Sequence, residues 1–407
     1  LLWEIIKEFE AQRAVEHWRG IFDCAPMSFQ AAIEHVILVL TAGFGDGHNT
    51  AAASVAEALR RLSPGEEVLV SDLVSEVQPR TADVLKSLYQ VAITHLPWVW
   101  SALYRQLAKS DLDPKQNAWM RPLLTGLKKQ IDQLKPRVIV STYPLYAGLL
   151  ANLRQEMQVP RLVTVITDST TVHPIWLMAP SDLYCVSDVE TDEVIIKMGV
   201  PPQKTRVTGF PVSLQFSEPL PAGAMKPEVQ RILYLPSTPA RHVAATLESL
   251  RPLLKKGVRL TLPVGKHRSR LYHVLRRFND SIPEGAMEII GWTTRIPELL
   301  RTHDVVICKA GGAILHEVMA ARTVAVIDYV VPGQEEGNAD YLLSRQCALR
   351  SMTAEQTGVE VTRALADGGK LARQIRENML PISVPDAAMR VAHEVLEQAI
   401  PSSGRDA

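Results

Sequence analysis

Short apolar runs recur along this chain, and segments with helical spacing separate them. "HVILVL" (35–40), "PRVIVST" (136–142), "RLVTVITD" (161–168) and "DLYCVS" (182–187) read as buried strands. "EEVLVSDLV" (66–74) reads as another, ending at Asp72. Helical stretches lie between them, such as the Ala-rich "TAAASVAEALRRL" (50–62) and "DEVIIKMG" (192–199). Strands that alternate with helices and are apolar throughout predict parallel sheets covered on both faces. The rhythm pauses over a Pro- and Gly-rich stretch, 209–230. It resumes with "RILYLPS" (231–237), "RLTLPVG" (259–265), "MEIIGW" (287–292), "DVVICKAGG" (304–312) and "TVAVIDY" (323–329). The expected fold class is α/β, with two facing Rossmann-like domains and a cleft between them. The expected boundaries are an extension at 1–34, a first domain at 35–215, a linker at 216–230, a second domain at 231–385, and a helix and tail at 386–407. Ligands of such sheets bind beyond the carboxyl ends of the strands, so motifs at those ends are the candidates for function.

Composition narrows the function classes. Lys and Arg together equal Asp and Glu, at 44 each, so no general attraction to nucleic acid exists. The four cysteines, Cys24, Cys185, Cys308 and Cys347, are far apart and form no CxxC, which suits a reducing compartment. No apolar stretch reaches the ~18–20 residues of a membrane span. Residues 1–26 have mixed charge and no signal-peptide layout. Met27 is a candidate natural start, and a packed N-terminal helix is the other reading.

Four strand-end motifs carry chemistry. "GFGDGH" (43–48) alternates Gly43, Gly45 and Gly47 and ends on His48. The spacing is not GxGxxG, which argues against hydride transfer on a dinucleotide, and no GxxxxGK[ST] occurs here. An imidazole of ordinary pKa ~6.5 suits a general base; a plain strand-to-helix turn with a surface histidine also fits. "ITDSTTVHPIWL" (166–177) sets Asp168 at a strand end, with His173 and Trp176 following. A helix cap and a core tryptophan are the alternative. "CKAGGAILHEVMAA" (308–321) brings Gly311 and Gly312 to a helix start, where backbone amides favour a pyrophosphate, and Glu317 one turn on, where a carboxylate accepts from ribose hydroxyls. Glu317 also suits the helix dipole alone. "HEVMA" lacks the second histidine of a zinc protease, with Ala320 in its place. "VPGQEEGNADYL" (331–342) clusters Gln334, Glu335 and Asn338 for sugar hydroxyls, or forms an ordinary polar turn.

Together "GFGDGH", "TDSTTVHPIW", "VTGFPV" (207–212), "KAGG…E" and "PGQEEGNA" resemble the monogalactosyldiacylglycerol synthase family and the bacterial processive diacylglycerol glucosyltransferases, and more distantly the lipid II pathway GlcNAc transferase. The resemblance spans residues ~36–350 and implies the GT-B fold. It implies transfer of a hexose from a UDP-sugar to diacylglycerol or a related lipid with inversion, in glycolipid biosynthesis, without a cofactor or metal. It makes His48 the base and Asp168 its orienting or acceptor-binding partner. Gly311 and Gly312 would hold the pyrophosphate, Glu317 the ribose, and Gln334, Glu335 and Asn338 the sugar. Gly45, Gly47 and His173 would face the acceptor. In "VLKSLYQVAITHLPWVWSALYRQLAKS" (84–110), Trp98, Trp100 and Tyr104 beside basic residues fit a membrane-interface helix, or an amphipathic hairpin packed on the sheet. The basic run 255–277 fits an anionic bilayer or solvated surface. The implied partners are a UDP-hexose, a diacylglycerol-type lipid and an anionic membrane surface, at the cytoplasmic face of the cell membrane.

Three features depart from the family pattern. Ala313 and Ile314 lack the hydroxyl found after the glycines, "LPSTPARH" (235–242) has two prolines where the family is glycine-rich, and Asn49 follows His48 where a longer polar residue is usual. These departures keep two rivals open: a non-catalytic nucleotide-sugar or lipid sensor, and a UDP-sugar epimerase.

Overall fold

The computed structural model describes residues 35–44, 46–84, 120–220, 224, 229–331 and 335–400. All belong to one unit, His35–Ala407. In its first half, β1 (Val36–Leu40) leads to α1 (Asp46–Leu62), β2 (Glu67–Ser71) and α2 (Leu73–Val77). Then come α3 (Arg121–Leu134), β3 (Val138–Ser141), α4 (Leu145–Leu153), β4 (Arg161–Val165), β5 (Leu183–Val186), α5 (Val189–Lys197) and β6 (Thr205–Val207). These strands form a parallel sheet in the order β2-β1-β3-β4-β5-β6. Side chains alternate across a strand, so β1 sends Ile37 and Val39 to one core and Leu38 and Leu40 to the other. Both faces are covered, which is why β1 is apolar at every position.

The second half runs β7 (Arg231–Tyr234), α6 (Ala240–Lys255), β8 (Arg259–Pro263), α7 (Arg268–Asn279), β9 (Met287–Ile290), α8 (Ile296–Thr302), β10 (Val305–Lys309), α9 (Gly312–Ala321), β11 (Val324–Tyr329), α10 (Glu336–Ser344) and β12 (Ala348–Arg350). Its sheet is also parallel, ordered β12-β11-β10-β7-β8-β9. After α11 (Thr357–Leu365) and α12 (Lys370–Met379), α13 (Ala387–Ala399) returns to the first sheet, where Val391 and Val395 pack with Ile37 and Val163. The return passes Gly209, whose φ of +88° suits glycine. A Cβ there would also lie 2.8 Å from Ala387 Cβ and from Val384 Cγ1.

One expectation shifts. The strand expected to reach Asp72 stops at Ser71, because the Asp72 carboxylate accepts from Ser75 N (3.1 Å) and caps α2. The second Asp72 oxygen accepts from Gly43 N (3.2 Å), tying that cap to the glycine turn. Within the stretch where the rhythm pauses, Phe210, Val212, Leu214 and Phe216 are buried. No described helix is long and apolar enough to cross a membrane.

Candidate functional site

The register of the first sheet builds the site. Leu40 pairs with Ser141, and Ser141 with Thr164, so the segments leaving β1, β3 and β4 emerge side by side. His48, in the first turn of α1, meets both neighbours. Its Nδ1 lies 2.9 Å from the Thr142 carbonyl and 2.8 Å from Thr167 Oγ1. A carbonyl only accepts, so Nδ1 carries the proton and Nε2 keeps its lone pair, an assignment made from the network. Nε2 hydrogen-bonds no described residue. Burial holds the His48 pKa below its ordinary value, partly offset by the charge of Asp168 and by the Thr142 carbonyl. The ring is therefore neutral near pH 7. Tyr143 meets it edge-on at 5.1 Å between centroids, and Trp176 lies at 6.0 Å.

Asp168 acts on His48 by charge and not by contact. Its Oδ2 accepts from Trp176 Nε1 (2.8 Å) and His173 N (3.4 Å), while Thr142 and Thr167 make the orienting bonds to the ring. His173 is buried, and its Nδ1 accepts from Ile175 N (3.2 Å), capping the short turn Pro174–Leu177. The same loop holds Thr170 at φ +59°, a conformation that costs a non-glycine residue free energy.

Across the cleft, β10 ends at Lys309 and α9 begins at Gly312, with Gly311 as its N-cap. The N–H groups of a helix's first turn lack intrahelical partners, and such groups suit an anion. Glu317 sits on α9, partly open, and hydrogen-bonds no described residue. Desolvation alone pushes its carboxyl up to about 7. Asn338 Nδ2 donates to the Ala310 carbonyl (3.2 Å) and lies 3.7 Å from where a Gly312 Cβ would stand. Glu335 is buried with both oxygens engaged, one by Lys309 Nζ and the other by Val331 N (3.1 Å). Gly45, Gln334, Trp98, Trp100 and Tyr104 lie outside the described residues. Among the described residues no cluster of three or more His, Cys, Asp or Glu suits a metal ion.

The two halves touch here. A Cβ on Gly47 would lie 3.5 Å from Ala313 Cβ. On Gly337 it would lie 2.8 Å from Thr170 Oγ1. His316 Nε2 lies 2.7 Å from Ser169 Oγ, Phe210 stacks on the His316 ring at 4.8 Å, and Arg345 pairs with Glu190. Sequence reading missed Thr142, Thr167, Lys309 and His316, whose partners are distant in the chain.

Comparisons with known proteins agree with this architecture. The family model of monogalactosyldiacylglycerol (MGDG) synthase matches residues 48–212. A processive diacylglycerol beta-glucosyltransferase of Bacillus subtilis (strain 168) is 25% identical over 373 residues, covering 89% of this chain and 95% of its own length. Among solved structures, Staphylococcus aureus MnaA with UDP superposes with a TM-score of 0.58 at 13% identity, over 90% of this chain and 98% of its own. Acinetobacter baumannii MurG gives 0.54 at 14%, over 89% and 99%. At such identities the structures speak for the fold alone, and that fold is GT-B. The family match begins at His48 itself and runs through the Asp168 loop to Val212, and the curated relative extends the similarity across both halves. Over residues 48–212 the chain is similar to the MGDG synthase family, and over most of its length it is similar to the processive diacylglycerol glucosyltransferases.

Proposed function

We propose that this protein transfers a hexose from a UDP-sugar to diacylglycerol or a related lipid, with inversion at the anomeric carbon. The observation that carries the reading is His48. Its proton is fixed on Nδ1, its Nε2 hydrogen-bonds no described residue, and its turn abuts the helix whose N-terminus suits a diphosphate. In the proposed step the acceptor oxygen attacks the anomeric carbon as the bond from that carbon to the UDP oxygen breaks. The acceptor proton passes to His48 Nε2, and UDP leaves with the bonding electrons. Amides at Gly311 and Gly312 and the dipole of α9 face the charge that develops on UDP. Glu317 takes the ribose diol. Asn338 faces the sugar beside Glu335, which Lys309 holds rigid, and Gln334 is assigned to the sugar with them. Asp168 stabilises the imidazolium by charge. Gly45, Gly47 and the 84–110 segment are assigned to the lipid acceptor on the sequence resemblance alone. The exposed Arg268, Tyr272, Arg276 and Arg277 of α7 support contact with an anionic bilayer at the cytoplasmic face.

The test is UDP release from UDP-glucose, UDP-galactose and UDP-N-acetylglucosamine, with and without diacylglycerol in anionic liposomes. Lipid-dependent release from one donor is expected. No release from any donor, in folded protein that still binds UDP, would favour the sensor reading. That rival draws on the 235–242 loop, whose Thr238 carbonyl is occupied by Arg270 (2.6 Å) and whose two prolines remove amide donors.

A further inference from the structure

The loop that holds His48 from one side is itself held from the other. Thr167 hydrogen-bonds His48 Nδ1. Two residues on, Ser169 Oγ meets His316 Nε2 at 2.7 Å. The direction of that bond follows from its neighbours. Ser187 donates to Asp188 Oδ2 (2.6 Å), so its oxygen accepts from Ser169 (3.0 Å). Ser169 then has no proton left to give, and His316 Nε2–H must be the donor. The chain of bonds ends on Asp188, a buried carboxylate that also accepts from Thr191 N (2.7 Å) and Thr191 Oγ1 (2.6 Å). Thr191 Oγ1 in turn accepts from Thr170 N (3.0 Å), at the residue with φ +59°. Bonds linked in this way polarise one another, and each fixes the next rotor.

His316 belongs to the other half of the molecule. It precedes Glu317 on α9 and is stacked flat on Phe210, with 4° between the rings. Burial lowers its pKa to about 4, so the ring is neutral and offers one N–H. A second contact from the same half presses on the same loop, where Gly337 leaves just enough room for Thr170.

We propose that His316 is a positioning residue for the transfer step. By donating to Ser169 it fixes the 167–171 loop, and through Thr167 it fixes the tautomer and aim of His48. The base is thereby oriented from the helix that carries the donor-binding carboxylate. This rests on the transferase reading above. It adds that His48 is competent only while α9 and the loop are joined.

The experiment compares wild type with His316→Ala, His316→Gln and Gly337→Ala, each shown folded by its thermal transition. A glutamine amide restores one N–H donor near the Nε2 position. The Gly337→Ala methyl displaces Thr170 without touching His316. The expected result is a 10–100-fold fall in kcat for His316→Ala with KM for the UDP-sugar within threefold, substantial recovery in His316→Gln, and a comparable kcat loss in Gly337→Ala. Unchanged kcat in His316→Ala would overturn the proposal. A matching loss of UDP affinity would do the same, because it would make His316 part of the donor site. Should wild type release no UDP, the transferase reading fails by itself. NMR titration of the His48 ring then decides the positioning role. A His48 pKa that rises toward the ordinary value in His316→Ala upholds it, and an unmoved pKa overturns it.

Discussion

Glu317→Gln separates function from stability at one position. The carboxyl is pushed from 4.5 to about 7 because α9 desolvates it and no described group hydrogen-bonds it. The folded chain therefore holds this proton more tightly than the unfolded chain does. Below pH ~4.5 the group is protonated in both states and costs nothing. As pH rises toward 7 the folded state must ionise a desolvated acid or keep its proton, and stability falls. The interval from 4.5 to about 7, at about 1.36 kcal/mol per pH unit, corresponds to ~3 kcal/mol, and water reaching the partly open side chain lowers the working figure to ~2 kcal/mol. Glutamine keeps the shape and never ionises. Glu317→Gln should thus unfold at higher temperature than wild type at pH 8.5, by ~2–4 °C, with little difference at pH 4.5. The same variant should bind UDP less well by ~1–3 kcal/mol, because a charged acceptor for the ribose diol is gone. Scanning calorimetry at the two pH values, with and without UDP, reads both effects. Equal transitions at pH 8.5 would mean that the carboxylate is well solvated, and the case for an acceptor held ready for a ligand would collapse.

Other outcomes follow from the same geometry. His48→Ala should lose ~100–10,000-fold in kcat with UDP affinity kept; in wild type the acidic limb of kcat/KM should fall below pH 6.5, and Asp168→Asn should move it lower still, since the Asp168 charge raises the His48 pKa. A limb at or above 6.5 in the pH–rate profile would contradict the buried neutral base. Gly209→Ala should cost ~2–4 kcal/mol, from positive φ and the close Val384 and Ala387 contacts, and a wild-type melting profile would count against that strain. Lys309→Met should cost up to ~3 kcal/mol by leaving the Glu335 carboxylate buried and unpaired, and adding Glu335→Gln should restore most of it in denaturant titrations.

The parts of the fold that could be read from sequence were those buried on both sides. Strands such as β1 and β11 are apolar at nearly every position because helices cover both faces. The edge strands β6 and β12 are three residues each and carry Arg206 and Arg350, so no run marks them. At the site, the motifs pointed to His48, Asp168, the Gly311–Gly312 turn and Glu317, because each stands at a strand end or in the helix that follows it. What the ring of His48 touches was not legible. Thr142 and Thr167 are 94 and 119 residues away, and only the register of β1, β3 and β4 brings them to it. The role expected of Asp168 shows why spacing is a weak guide: a carboxylate near a histidine need not touch it, and here the indole of Trp176 takes its oxygen.

The glycines of the second half separate on physical grounds, and the separation can be tested. Gly337 is demanded by the chain itself, since any Cβ there would collide with Thr170. Gly311 is not. Its φ of −67° suits any residue, and a Cβ would stand 3.5 Å from Ile314 Cγ2 and 3.6 Å from the end of Lys309, ordinary contacts. A methyl at 311 therefore costs the folded protein little beyond ~1 kcal/mol for a poorer N-cap. If the glycine serves a ligand, the methyl fills the space in which a diphosphate approaches the first amides of α9. Gly311→Ala should then melt within a few degrees of wild type and lose UDP affinity tenfold or more by calorimetric titration. Undiminished affinity would move the diphosphate away from the start of α9, and Glu317, one turn further along the same helix, would have to be reassigned with it.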